Sequence, residues 1–64
     1  PTAEEKALLV LELHAPVTVA AVKSRYKELV KRHHPDANGG DKAAEERFKQ
    51  ISEAYRTVMD SLAP

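Results

Sequence analysis

The chain has 64 residues, 42% hydrophobic and 31% charged, a balance that excludes an intrinsically disordered segment and fits one small domain or a piece of a longer protein. Ten basic residues against ten acidic ones give zero net charge, which argues against indiscriminate nucleic-acid binding. With no cysteine, neither a disulfide staple nor a thiolate zinc site can hold the fold together, and the stability of so thin a core is expected to be on the order of 3–5 kcal/mol at best.

The first predicted element is a helix over residues 3–13. Glu4 and Glu5 suit the positive end of a helix dipole, and Pro16 stands where a helix has already stopped. Leu8, Leu9, Val10, Leu11 and Leu13 exceed a single apolar stripe, so this helix is expected to pack on more than one side. The stretch "ALLVLEL" is too short to span a membrane and carries Glu12; it also lacks the basic lead and cleavage pattern of a signal peptide.

A second helix is predicted from Thr18, a suitable N-cap, to His33. Its capping box is incomplete, because Ala21 occupies the position where Glu or Gln would reach back. Val19, Val22, Tyr26, Leu29 and His33 fall within one narrow arc. Lys31, Arg32 and His33 offset the negative end of the dipole, and Pro35 stops the helix by disfavouring α geometry at His34.

The third helix is predicted from about residue 41, with Asp41 as N-cap. Ala44, Phe48, Ile51, Tyr55, Val58 and Leu62 follow at alternating steps of four and three, a heptad-like seam. Two long seams joined by a short loop predict an antiparallel helical hairpin, with the first helix lying across it. The expected fold is all-α, a single small domain over residues 1–64.

Charge is unevenly spread. The second helix carries Lys23, Arg25, Lys27, Lys31 and Arg32 against Glu28 alone, five positive less one negative, a surplus of four. Lys23, Lys27 and Lys31 form one ridge pointing away from the apolar arc. On the third helix, Glu45 with Lys49 and Lys49 with Glu53 are spaced to cancel one another. Most charge runs are solvated faces, but a ridge without local acidic partners polarises the surface and suits an acidic partner.

Between the two long helices lies "HPDANGGD". A turn accounts for much of it: Pro35 stops a helix, Asn38, Gly39 and Gly40 supply left-handed positions, and Asp41 caps the next helix. His33 reads as a core-edge histidine. His34 and Asp36 are not required by a turn, and both are expected to project into solvent from a rigid corner. A metal site from His33, His34 and Asp36, with distant His14, is disfavoured because adjacent side chains diverge. A hydrolytic site is disfavoured because no nucleophile has a positioned base. Recognition remains: an imidazole and a carboxylate fixed beside lysines, fit for a partner's arginine or backbone.

The placement of His34-Pro35-Asp36 after "YKELVKRH" and before "AEERFKQISEAY" resembles the J domain, the DnaJ-like co-chaperone module. From Val19 to Asp60 the likeness to that family's second helix, loop and third helix runs without a gap. The resemblance implies a module that binds the ATPase domain of a DnaK-type heat-shock chaperone and stimulates ATP hydrolysis there, with no catalysis, cofactor or metal of its own. By position it implies that His34, Pro35 and Asp36 are needed for stimulation. Lys23, Tyr26, Lys27 and Lys31 would lie on the docking face, and Asn38, Phe48 and Lys49 match positions that approach the partner. Phe48 also belongs to the core seam, and structural duty comes first there.

The chain departs from the family in several places. Leu8 and Glu12 stand where a tyrosine and a glycine are usual, and glutamate is expected to extend the first helix. Glu28 stands where many relatives are basic, and the fourth helix is missing or vestigial. The expectation is an excised module, or one at the C-terminal end of a longer protein, cytoplasmic and monomeric as an isolated domain, with no membrane or nucleic-acid partner. The alternative is a nucleic-acid-binding helical module using Lys23, Lys27 and Lys31. A loop of roughly eight residues tells against it, since three or four join the helices of a helix-turn-helix.

Overall fold

A computed structural model describes residues 2–34, 36 and 39–62, and among them three helices: α1 (Ala3–Val10), α2 (Val19–His33) and α3 (Lys42–Leu62). Each begins at a side chain that satisfies backbone donors left open by the first turn. Thr2 Oγ1 accepts from Glu5 N–H and Glu5 Oε1 accepts from Thr2 N–H, both at 3.2 Å, closing a reciprocal capping box. Thr18 Oγ1 accepts from Ala21 N–H at 3.1 Å, the half-box expected where residue 21 is alanine. Asp41 Oδ1 accepts from Ala43 N–H at 3.4 Å. Gly39 and Gly40 supply left-handed positions at φ 65° and 73° just before it. Asn38, expected to share that task, lies outside the described residues.

The end of α1 differs from the expectation. The helix stops at Val10, three residues early, and Glu12 does not extend it: Glu12 is left-handed, at φ 58°. Glu12 N–H donates to the Leu9 carbonyl at 3.0 Å and Leu13 N–H to the Leu8 carbonyl at 2.8 Å. Those two bonds make a Schellman turn, in which the left-handed residue is most often glycine. An arginine clasp accompanies the strained backbone. Arg25 Nη1 donates to the Glu12 carbonyl at 3.3 Å and stands 3.7 Å from its carboxylate, while Arg32 Nη1 lies 4.0 Å from the other oxygen. A cation at this carbonyl also meets the negative pole of α1.

Two ring contacts fix the register of α2 on α3. Tyr26 stacks on Tyr55 with centroids 4.1 Å apart, and His34 meets Phe48 at 5.4 Å. Moving eight residues forward on α2 moves seven back on α3, so the pair runs antiparallel, as the seams predict. Both α1 and α2 pack on α3 and scarcely on each other. α3 is therefore the shared wall of the core. Leu11, Val22, Leu29 and Ile51 are sealed from solvent, with Ala7, Leu8, Ala54 and Val58 around them. Ala54 lies off the predicted seam; it lines the groove between α1 and α3 together with Ala7, where small side chains let two helices approach.

Two further expectations fail. Leu9 is 65% exposed, because α1 has one neighbour helix and buries one stripe, not several sides. Val19, at the start of the α2 arc, is 40% exposed, since Val17 and Val22 on either side of it supply the core contacts there. No polar or charged residue is buried among the described residues, so the helices are held by shape and apolar area.

The Glu12 turn sets two small effects against each other. Left-handed strain at a non-glycine residue costs about 1 kcal/mol, and each exposed ion pair contributes about 0–1 kcal/mol. Glu12→Gly is expected to hold or raise stability by up to about 1 kcal/mol, and Glu12→Val to lower it by about 1–2 kcal/mol, because a β-branched residue resists positive φ. Urea unfolding followed by circular dichroism measures both. A glycine variant weaker than the wild type by more than about 1 kcal/mol would show that the arginine clasp dominates.

Candidate functional site

The corner begins where α2 ends. His34 caps the helix at φ −60°, ψ 132°, the extended conformation that a following proline enforces. Its ring is then held from two sides. Asp36 N–H donates to Nδ1 at 3.2 Å, and the tilted Phe48 ring lies against it at 60° between planes. Asp36 Oδ2 stands 3.9 Å from Nδ1, too far for a hydrogen bond. The Asp36 side chain is 95% exposed and that of His34 is 43% exposed. The carboxylate thus projects outward as expected, whereas the imidazole does not stand free. It rests on α3, because Phe48 in the early turns of that helix reaches it. Pro35 and Asn38, the other two site residues predicted in this loop, lie outside the described residues.

Phe48 is half-buried, consistent with its place on the core seam. Lys49, its neighbour, is exposed and stands 3.8 Å from Glu45; among the described residues it makes no pair with Glu53. Tyr26, predicted for both core and docking face, is half-buried against Tyr55. The rest of Tyr26 borders an open groove along α2 with Ser24, Lys27, Glu28, Val30 and Lys31, so that one carboxylate stands among the lysines. Ser24 and Val30 were not among the expected site residues. Their signal in the sequence is their spacing from Lys27 and Lys31, which puts them on one helix face.

The five cations of α2 divide into two sets. Arg25 and Arg32, seven residues apart and so on one face, turn to Glu12. Lys23, Lys27 and Lys31 are exposed and have no carboxylate within 4.0 Å among the described residues. The arginines hold α2 to the end of α1, and the lysines keep their charge for solvent or a partner. From Lys23 to His34 this face runs for about 16 Å along the helix. It carries positive charge along its length, an aromatic edge in the middle, and the imidazole and carboxylate at one end.

Such an arrangement is a helical hairpin with a basic flank on α2 and the His34–Asp36 corner at one end of it. A sequence model described as the DnaJ domain matches residues 8–62, and the chain belongs to that family. It is 54% identical over 60 residues to an uncharacterized 19.0 kDa protein in the cobS 5′ region of a Sinorhizobium species, covering 94% of this chain and 35% of that protein. It is 46% identical over 52 residues to the chaperone protein DnaJ of Syntrophotalea carbinolica, covering 81% of this chain and 14% of that one. With DnaJ of Synechococcus elongatus the identity is 56% over 41 residues, 64% of this chain and 14% of the relative. The chain therefore spans about a third of the Sinorhizobium protein and about a seventh of the DnaJ chaperones. No solved structure matches it. No helix among the described residues is long and apolar enough to cross a membrane.

Tyr26 separates structure from docking experimentally. Tyr26→Phe keeps the stacked pair and is expected to leave unfolding unchanged, while Tyr26→Ala is expected to cost about 1–2 kcal/mol of stability. Thermal unfolding of the two variants checks this. If the alanine variant melts like the wild type, the ring contributes nothing to the core.

Proposed function

We propose that this domain is a co-chaperone module. It binds the ATPase domain of a DnaK-type heat-shock chaperone and stimulates ATP hydrolysis there, coupling substrate capture to the nucleotide cycle. The observation that carries this reading is the His34–Asp36 corner at the end of a lysine ridge with no internal carboxylate partners. Membership of the DnaJ-domain family supports it, as does the similarity to proteins named DnaJ.

Each part of the surface has a role in this reading. Lys23, Lys27 and Lys31 steer an acidic partner surface toward α2, a long-range effect that depends on ionic strength. Tyr26 contributes a partly desolvated aromatic edge beside them, the kind of side chain that anchors interfaces. Lys49 adds a cation from α3, and Pro35 and Asn38 are assigned to the same surface by their match to the family's loop positions. Asp36, with nearly all its surface in water, is the acceptor offered to a cation or to backbone N–H groups of the partner. The domain performs no chemistry itself in this scheme. It changes the rate of a reaction in another protein by binding one of that protein's conformations better than another.

Single-turnover ATP hydrolysis by DnaK-type chaperones, with and without the domain, tests the proposal. Asp36→Asn and His34→Gln are expected to abolish stimulation while melting and helix content stay near wild type, because neither side chain is part of the core. A collapsed fold in either variant would make the corner structural and remove the reading's main support. Reversal of the ridge with Lys27→Glu is expected to slow association, with the difference from wild type shrinking as salt is raised. An association rate indifferent to both charge and salt would take the ridge out of the interface.

A further inference from the structure

We propose that Nδ1 of His34 is the acceptor inside the corner and Nε2 its donor, and that Phe48 is the positioning residue that sets the plane of that ring. The inference deepens the co-chaperone reading and rests on it for its consequence, though not for its geometry.

The argument starts from the single hydrogen bond whose direction cannot be reversed. A backbone N–H only donates, so the Asp36 N–H at 3.2 Å requires Nδ1 to offer its lone pair. The one proton of the neutral ring is then on Nε2, since the bond made by one nitrogen decides which tautomer the ring adopts. A proton on Nδ1 would face the Asp36 N–H, donor against donor. The Asp36 carboxylate does not offset that conflict: it lies 3.9 Å away and is 95% exposed, where water weakens the attraction.

The ring plane is fixed separately. The backbone of His34 is extended before proline, which sets the direction of its Cα–Cβ bond. Rotations about Cα–Cβ and about the bond to the ring remain, and the second of these torsions is intrinsically broad. Phe48 narrows it. The two rings are 5.4 Å apart and tilted by 60°, within the range of favourable edge-to-face contacts. Phe48 can serve as a fixed stop because it belongs to the seam of α3 and is half-buried there.

The consequence concerns the chemistry of the partner. With Nδ1 occupied as an acceptor inside the loop, His34 can act outward only as a donor, and it fits an oxygen acceptor. Asp36 beside it is an acceptor and fits a cation or an N–H group. The corner therefore reads a donor and an acceptor in fixed order. Glutamine at position 34 places an amide near Nε2 but gives the Asp36 N–H no acceptor and Phe48 no ring. Asparagine can satisfy the Asp36 N–H but puts no donor at the Nε2 position.

Two-bond 1H–15N correlation spectra of the labelled domain at pH 8 read the ring nitrogens directly, with exposed His14 as the internal reference for an unconstrained tautomer mixture. Wild-type His34 is expected to show an unprotonated Nδ1 and a protonated Nε2 without admixture. A protonated Nδ1, or a pattern equal to that of His14, overturns the proposal. Phe48→Leu is expected to move His34 toward the His14 pattern, and Phe48→Tyr to keep the wild-type signature. An unchanged His34 spectrum in the leucine variant removes Phe48 from the role. In the ATPase assay, Phe48→Leu is expected to lose about tenfold in stimulation, the value of one misplaced hydrogen bond, with Phe48→Tyr near wild type. Wild-type domain that stimulates no DnaK-type chaperone refutes the co-chaperone reading, a failure distinct from any spectral outcome.

Discussion

Everything in this small domain depends on α3 being buried along two stripes at once. Ile51 is sealed from solvent because α1 and α2 both pack on α3, while they scarcely touch each other. A helix with one apolar stripe could hold one neighbour, and the third helix would then have nothing to cover. On that wall Tyr55 stacks on Tyr26 of α2 and Phe48 meets His34 at its end, while Val58 lines a groove with Leu8 of α1 and the offset Ala54 lets α1 in close. Because no polar group is buried among the described residues, neither helix is locked by a specific internal bond. The two are positioned by side-chain shape and by what happens at their ends.

The ends are where the chain invests its polar chemistry. Threonines open α1 and α2, and two glycines and an aspartate prepare α3. A left-handed glutamate closes α1 and ties it to α2 through two arginines. The arginine clasp also shapes the surface. By drawing Arg25 and Arg32 toward α1, it leaves Lys23, Lys27 and Lys31 as the cations of the outer side of α2, with Glu28 the one acid among them. A planar guanidinium suits the fixed internal contact, and flexible ammonium groups suit a solvent face. Structure and recognition thus use different cations of the same helix.

Much of this was legible in the residues, and the failures have physical causes. Val22, Leu29, Ile51 and Val58 announce their burial by spacing alone, and Thr18 and Asp41 announce two helix starts. The T-x-x-E pattern of residues 2–5 is an equally clear start that the reading of α1 did not use. At Glu12 the residue type misled, because glutamate favours helices; the glycine usual at that place in the family was the signal for a left-handed turn, and it was outweighed. The exposure of Leu9 follows from a tertiary fact, the packing of α1 against one neighbour. At the corner, the outward carboxylate of Asp36 was readable from the residues, whereas His34 was expected to project likewise and instead rests on α3. The contact with Phe48 joins residues fourteen positions apart. It follows only when Tyr26 is known to face Tyr55, so that counting back along both helices brings 34 opposite 48.

That same counting has a consequence for how the molecule assembles. Contacts of the hairpin close in order of increasing loop length, so His34 and Phe48 enclose the smallest loop and Tyr26 and Tyr55 a larger one. Loop-closure entropy favours the short connection first, and local topologies of this kind reach their native state quickly. The recognition corner is therefore the hinge end of a zipper: it is formed while the far ends of α2 and α3 are still separating and rejoining, and fraying there can proceed without disturbing it.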